Sequence, residues 1–310
     1  MRFGAHLPLI GWPGRDPDPR LVLEVAARAE TAGYSVLAAN DHLVYGRPWL
    51  DGPSALAAAA ARTTTIRLMT SVALPVIRGP VPVAKSLMAI DRLSGGRLIA
   101  GVGPGSSARD YGVAGIPFEE RWPRFDEAVQ ALRALLRPGG EPFIGRFYST
   151  EDIRLEPAPI QEGGPPLWLG SWGSTAGIAR VARLADGWLA SGYNATPADY
   201  AGARVRLDER TRAAGRTERL PSTMVTMWTA ITDDEASMRL LLGEVLSPML
   251  NRPVEALEGM LLVGSESRIA DRIAEYEAAG VEELVVWPIV DEVAQLERFA
   301  ERIAPRFSGA

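Results

Sequence analysis

Cysteine is absent from the 310-residue chain, so disulfides, thiolate nucleophiles and Cys-ligated zinc or iron–sulfur centres are excluded together. Histidine occurs only at His6 and His42, and lysine only at Lys85. A His-rich metal centre lacks its ligands, and a Schiff base would fall to Lys85, which lies in a helical stretch. No run reaches the ~20 consecutive apolar residues of a membrane span; the Ala-rich stretch from Ser54 ends at Arg62. Nor is one sign of charge in excess: 33 basic and 38 acidic residues give a net charge of -5, with no general attraction for nucleic acid or an anionic membrane. The segment MRFGAHLPLIGWPG turns Gly/Pro-rich without a signal core and small-residue cleavage site, so a cytoplasmic protein is expected.

What is present is alternation. Short β-type runs at 2–8, 35–40, 67–74, 98–103, 167–170, 188–191, 224–231 and 284–290 are separated by stretches of helical period. Leu21, Val25 and Ala29 repeat ahead of Gly33; Phe125, Ala128, Val129, Leu132, Leu135 and Leu136 form a stripe that stops at Pro138-Gly139-Gly140. Ile269, Ile273 and Tyr276 precede Gly280, and Leu296, Phe299, Ala300 and Ile303 precede Pro305. Eight such units predict one α/β domain over 1–310, a TIM (β/α)8 barrel with insertions after strands 4 and 7. The insertions are 138–166, with an aromatic hairpin candidate at 143–148, and the helical segment 233–262. An open doubly wound sheet is the alternative.

In such a barrel the chemistry belongs at the carboxyl ends of the strands. Those ends read His6, Asn40-Asp41-His42, Thr70-Ser71-Val72, Gly101-Val102-Gly103-Pro104-Gly105, Gly170-Ser171-Trp172-Gly173-Ser174 and Trp287. His42 can carry a proton near neutral pH, or simply bond a loop carbonyl. His6 falls inside the first run and reads as a packed polar residue of the interior or the mouth. The loops Gly101 to Ser107, with Ser106 and Ser107, and Gly170 to Ser174 are rich in donors that suit a phosphate; each also reads as a tight βα turn. Trp12, Trp49, Trp172, Tyr193 and Trp287 fall near the same mouth, where aromatic walls suit a flat cofactor and a substrate pocket; scattered core aromatics are the plainer reading. Lys85, Asp91 and Arg97 read as helix surface, ion pairing and capping.

The ordered set AETAGYSVLAANDH, IRLMTSV, VAKSLMAIDRLSGGRLIAGVGPG, ARLADGWLA and IAEYEAAGVEELVVWP resembles, over the whole chain, the luciferase-like flavin-dependent oxidoreductases. That group contains bacterial luciferase, alkane-sulfonate monooxygenase and the enzymes that use the deazaflavin coenzyme F420. The resemblance implies a flavin or deazaflavin ring over the barrel mouth. Ser71-Val72 matches a position where relatives have a non-prolyl cis peptide beneath the ring. Asp41-His42 matches the pair whose imidazole sits near ring and substrate in the deazaflavin-using relatives. The two Gly/Ser loops match segments that hold the ribityl chain and phosphate, and Trp49 resembles a tryptophan following the Asp-His pair in some relatives. Where some relatives place an acidic glutamate after the fourth-strand glycines, this chain has Ser106-Ser107, with Asp110 further on.

The expected function is therefore an oxidoreductase that uses dissociable F420 for hydride transfer to or from a small organic substrate, with His42 as proton donor or acceptor. With FMN instead, the resemblance implies a monooxygenase in which reduced flavin captures oxygen as a C4a-peroxide; a non-catalytic flavin-binding barrel is a second alternative. A metal-free isomerase or aldolase acting on phosphorylated sugars is the alternative from another class, and it lacks a lysine at an inward strand end. Arg47, Arg78, Arg121 and Arg124 are the candidates for a basic rim around the anionic tail of F420, or are ordinary solvated arginines. A homodimer and a separate cofactor reductase are further expectations of the resemblance; metal, nucleic acid and membrane are not expected.

Overall fold

Short runs of apolar and β-branched residues become the strands of a closed parallel barrel in the computed structural model, which describes residues 1–12 and 14–307. The strands are β1 (Arg2–His6), β2 (Val36–Ala39), β3 (Arg67–Thr70), β4 (Leu98–Val102), β5 (Leu167–Ser171), β6 (Gly187–Ser191), β7 (Ser222–Val225), β8 (Thr229–Ile231), β9 (Leu262–Gly264) and β10 (Glu283–Val286). The barrel closes in the order β1-β10-β7-β6-β5-β4-β3-β2, while β8 and β9 pair in a separate parallel ribbon. The run expected as one strand at 224–231 thus divides. Trp228 adopts φ +26°, which no extended strand can contain, so β7 ends at Val225 and β8 leaves the barrel.

The helices are α1 (Pro19–Thr31), α2 (Gly52–Arg62), α3 (Pro75–Arg78), α4 (Pro80–Leu93), α5 (Ala108–Val113), α6 (Arg121–Leu136), α7 (Thr175–Leu184), α8 (Pro197–Ala213), α9 (Glu235–Leu240), α10 (Ser247–Leu250), α11 (Val254–Met260), α12 (Glu266–Ala278) and α13 (Glu292–Arg302). Their starts are chemical: Asp18, Asp51, Ser174 and Ser265 accept backbone N–H bonds as N-caps, and Thr196 forms a reciprocal capping box with Asp199. A π turn (Leu241–Leu246) joins α9 to α10. Residues 137–166, between α6 and β5, carry no helix or strand; the expected hairpin at 143–148 is reduced to one antiparallel bridge between Ile144 and Ser149. Among the described residues no helix is long and apolar enough to cross a membrane.

Because side chains alternate along a strand, one parity of each barrel strand faces inward. Val36, Ala38, Met69, Ile99, Trp168, Leu189 and Val285 form that inner core. Glycine makes room for it: a Cβ on Gly187 would stand 2.3 Å from the Trp168 indole, and one on Gly101 would stand 2.0 Å from the Thr70 carbonyl oxygen and 2.4 Å from Leu189 Cδ1. At the amino end buried Glu283 closes the barrel, accepting from Thr223 Oγ1 at 2.6 Å, from Ser35 Oγ at 2.9 Å and from the Arg67 guanidinium. Further along the strands, the same parity brings His6, Asn40, Ser71, Gly103, Gly170 and Trp287 to the carboxyl end.

Gly101→Ala is therefore expected to lower stability by about 2 kcal/mol or more, because the new methyl meets backbone that cannot rotate away. Urea unfolding checks it; a midpoint equal to that of the parent would show that the interior has slack to spare.

Candidate active site

One buried acid organises the mouth. The Asp110 side chain, in α5, is 1% exposed. Its Oδ1 accepts from the backbone N–H of Leu43 at 3.1 Å and of Val44 at 2.8 Å, and its Oδ2 lies 2.9 Å from His42 Nδ1. A carboxylate can only accept, so Nδ1 carries a proton, and it is Nε2 that gains or loses one. Ser107 supports this arrangement from the other side: as N-cap of α5 its hydroxyl accepts from the Asp110 N–H at 3.2 Å. The His42 side chain is 19% exposed, so the ring is held without being sealed.

The residue before His42 does a different job. Asp41 places its two oxygens on Arg78 at 2.7 and 2.6 Å, and Arg78 also meets Asp51, the N-cap of α2. Asp41 anchors the β2–α2 loop in this way, and Arg78, a candidate for a basic rim or an ordinary solvated arginine, neutralises two carboxylates. The loop carrying His42 is thus pinned at Asp41 on one side and at Leu43 and Val44 on the other.

Aromatic rings continue from His42 across the mouth. Its ring lies 4.9 Å from Tyr45 and 4.8 Å from Trp49; Trp49 is 6.0 Å from Trp287, and Trp228 stands 6.3 Å from Trp287 and 5.3 Å from Trp12. Trp287 stacks on His6 at 3.8 Å. His6 donates from Nδ1 to the Leu7 carbonyl at 2.8 Å and accepts the Asn40 N–H on Nε2 at 3.1 Å, so neither ring nitrogen is free. Burial pushes its pKa down to about 3, and it is neutral near pH 7. Burial, with the Tyr193 phenol second, also raises the Tyr45 phenol above its usual range and keeps it protonated.

Opposite the aromatics the mouth is lined by small residues. The Ser71-Val72 peptide is cis, as the resemblance implies. The Val72 side chain fits between two strand ends that lack one: a Cβ on Gly103 would come within 2.6 Å of it and one on Gly170 within 3.0 Å. Next to this wedge Ser71 Oγ and Asn40 Oδ1 are buried without a protein partner. Beyond Gly170, Ser171 Oγ accepts the Gly173 N–H at 3.3 Å, Gly173 turns at φ +91°, and Ser174 caps α7. Trp172 is 59% exposed and stands apart from the ring cluster, whereas Tyr193 packs against it from the side. Gly105, at φ +81°, turns the β4 loop, and Ser106 is exposed.

Of the residues singled out in sequence, the structure gathers His42, His6, Trp12, Trp49, Tyr193 and Trp287 in the aromatic half and Ser71, Val72, Gly103 and Gly170 in the small-residue half. Three members were missed or underread. Asp110 stood out only as an acid beyond Ser106-Ser107, although its spacing of three from Ser107 is an N-cap signal. Trp228 was hidden inside a run read as strand, and Tyr45 sits in a loop without period.

Comparison with known proteins comes to the same fold. The profile of a family described as luciferase-like monooxygenase matches residues 1–283. An uncharacterized protein of Mycobacterium tuberculosis (strain ATCC 25618 / H37Rv) is 32% identical over 204 residues, 59% of this chain and 69% of that one. The F420-dependent glucose-6-phosphate dehydrogenase of Amycolatopsis mediterranei (strain U-32) is 32% identical over 183 residues, 55% of this chain and 53% of that one, so the match spans about half of the enzyme. A crystal structure of a monooxygenase from Streptomyces bottropensis superposes with a TM-score of 0.86 at 22% identity, covering 99% of this chain and 100% of that one.

His6 yields a test of the site's electrostatics. Its folded pKa of about 3 lies below the ordinary 6.5, so protons bind the unfolded chain first. Its contribution to stability is complete above pH 6.5 and drains as pH falls toward 3, by roughly 2 kcal/mol at pH 5. The stability gap between the parent and His6→Gln, from urea unfolding at pH 8 and pH 5, should narrow by about that amount at the lower pH; a constant gap would place a proton on native His6.

Proposed function

This chain belongs to the luciferase-like monooxygenase family, whose members are flavin- or F420-dependent oxidoreductases and monooxygenases; within it we propose a dehydrogenase or reductase that transfers hydride between coenzyme F420 and a small organic substrate. The observation that carries this reading is the His42–Asp110 pair, an acid–base group with a fixed tautomer at the mouth of the barrel. The F420-dependent relative from Amycolatopsis mediterranei supports the choice of cofactor.

The residues present fit a flat ring with an anionic stem. Val72, seated between Gly103 and Gly170, would underlie the ring, and Ser71 Oγ and Asn40 Oδ1 are buried polar atoms in want of partners at its edge. Ser174, opening the ten-residue helix α7, would hold the phosphate with its backbone N–H. F420, when bound, supplies a ring position that gives or takes a hydride.

The chain's own share is the proton. Nε2 of His42 takes it from a substrate hydroxyl or returns it to a carbonyl oxygen, and the Asp110 carboxylate on Nδ1 stabilises the imidazolium while the ring is charged. Leu43 and Val44 N–H bonds keep that carboxylate from turning away, so the ring does not need to reorient between states. Asp110 acts through His42 and is a positioning residue.

Fluorescence titration with F420 and with FMN tests the cofactor: F420 is expected to bind at least about tenfold more tightly. Tighter FMN binding would move the protein to the monooxygenase reading, and binding of neither would leave a barrel without this chemistry. His42→Ala should lower kcat by about 100-fold or more while leaving F420 affinity within about twofold. Asp110→Asn keeps an acceptor for Leu43 and Val44 but offers Nδ1 a donor, and so should reverse the tautomer, cut kcat by about tenfold or more and alter the pH profile. Unchanged profiles in both variants would remove the pair from the mechanism.

A further inference from the structure

In a chain without cysteine, the side chains that give up an electron most readily are indoles and phenols. Trp12, Tyr45, Trp49, Tyr193, Trp228 and Trp287 share one cluster, and among the described residues none of the seven phenylalanines enters it. Packing alone gives no reason to choose indole or phenol over phenyl at every ring position; ease of oxidation gives one.

Four of the indoles stand in a row. Trp49 lies 6.0 Å from Trp287, Trp287 6.3 Å from Trp228, and Trp228 5.3 Å from Trp12, centroid to centroid, at interplanar angles of 71° to 80°. At such separations the edge of one ring touches the face of the next, so an electron crosses each step through atoms in contact. Tyr45, 4.7 Å from Trp49, extends the row toward His42.

The row is dry within and wet at its outer end. The segment from α9 to α11 covers it as a cap, and Met238, Leu242, Leu246 and Leu257 share the cluster with Trp228 and Trp287. Trp228 and Trp287 are 0% and 5% exposed, whereas Trp12 is only partly buried. The indole N–H groups of Trp49, Trp287 and Trp228 have no acceptor in the protein. An oxidised indole that has nowhere to send its proton stays a cation, and one electron from the next ring restores it. Burial makes that cation costly at Trp228, and water relieves it at Trp12.

The surrounding charges favour the same direction. Arg47 acts on the Tyr45 phenol, and His42, 4.8 Å from Trp49, becomes cationic when Nε2 takes a proton. Both repel a positive charge away from that end of the row. His6, stacked on Trp287, is neutral with both nitrogens bonded, and Arg15, bridged to Trp12, is neutralised by Glu292.

Resting on the reading that a flavin-type ring binds this mouth, we propose that Trp49, Trp287, Trp228 and Trp12 form a one-electron path. It gives the protein a second activity, light-driven reduction of its ring cofactor by a soluble thiol. An indole of the wall gives one electron to the photo-excited ring, the vacancy passes outward ring by ring, and a thiol refills it at Trp12. Two turns deliver two electrons and two protons to the ring and join two thiols in one disulfide; no tryptophan is consumed.

F420 titrated into the full chain in the dark reports binding, and FMN takes its place if that is the ring that binds. At saturation, anaerobic illumination with dithiothreitol is followed by loss of the visible absorption of the ring. Trp12→Phe should bleach about tenfold more slowly than the parent, and Trp12→Tyr, which adds back an oxidisable hydroxyl, should recover most of the rate. Laser-flash absorption should show an indole radical whose decay quickens with thiol in the parent and not in Trp12→Phe. Should the variants fail to fold, the flash experiment on the parent decides. Equal bleaching in parent, Trp12→Phe and Trp12→Tyr, or a bound ring that yields no indole radical, overturns the proposal and leaves the cofactor reading standing. Failure of both rings to bind in the dark overturns the cofactor reading, and this proposal with it.

Discussion

A carboxylate taken out of water has to be met by donors, and at Asp110 that requirement shapes the whole mouth. Two backbone N–H groups and one imidazole N–H satisfy it, and all three belong to the loop after β2. Satisfying the charge therefore folds that loop onto α5 and sets the tautomer of His42 in the same act. Leaving a buried acid like this one without its partners costs on the order of 3 kcal/mol or more, so the loop is held by an energy that no single surface contact supplies. Arg78 repeats the logic at lower depth, joining Asp41 to Asp51 and tying the end of β2 to the start of α2.

The barrel makes these local devices meet. Period-two alternation carries apolar residues up the interior to Met69, Trp168 and Val285, and the next inward positions are His6, Ser71, Gly170 and Trp287. The floor of the mouth is thus the last layer of the core, and its chemistry changes there from hydrocarbon to small and polar residues. One half is a cradle of glycine, serine and valine suited to a cofactor; the other is a wall of uncharged rings under an apolar cap. His42 is the member of that wall whose ring is held by a buried carboxylate.

How much of this was legible can be judged element by element. The parallel strands and the stripes of α1, α6, α12 and α13 were readable because burial of a repeating unit imposes a period on sequence. The glycine-rich strand ends were readable from motif order, and the Ser71-Val72 position from the family resemblance. The division of the seventh run was not, because it depends on the left-handed backbone at Trp228, and a tryptophan in a β-type run carries no mark of that. The ion pair of Asp41 was not readable for a related reason: an acid next to His42 in sequence is bonded in space to Arg78.

The chain alone decides what depends on composition and spacing: no thiol chemistry, too few imidazoles for a His-rich metal centre, an alternating α/β order, and a histidine at the end of the second strand. Tertiary structure decides which charges neutralise one another, because an ion pair forms across whatever distance in sequence the fold closes. His42 and Asp110 are separated by 68 positions, and Arg78 and Asp41 by 37, yet each pair is in hydrogen-bond contact. Spacing cannot announce such pairs; only the closing of the barrel brings them within reach.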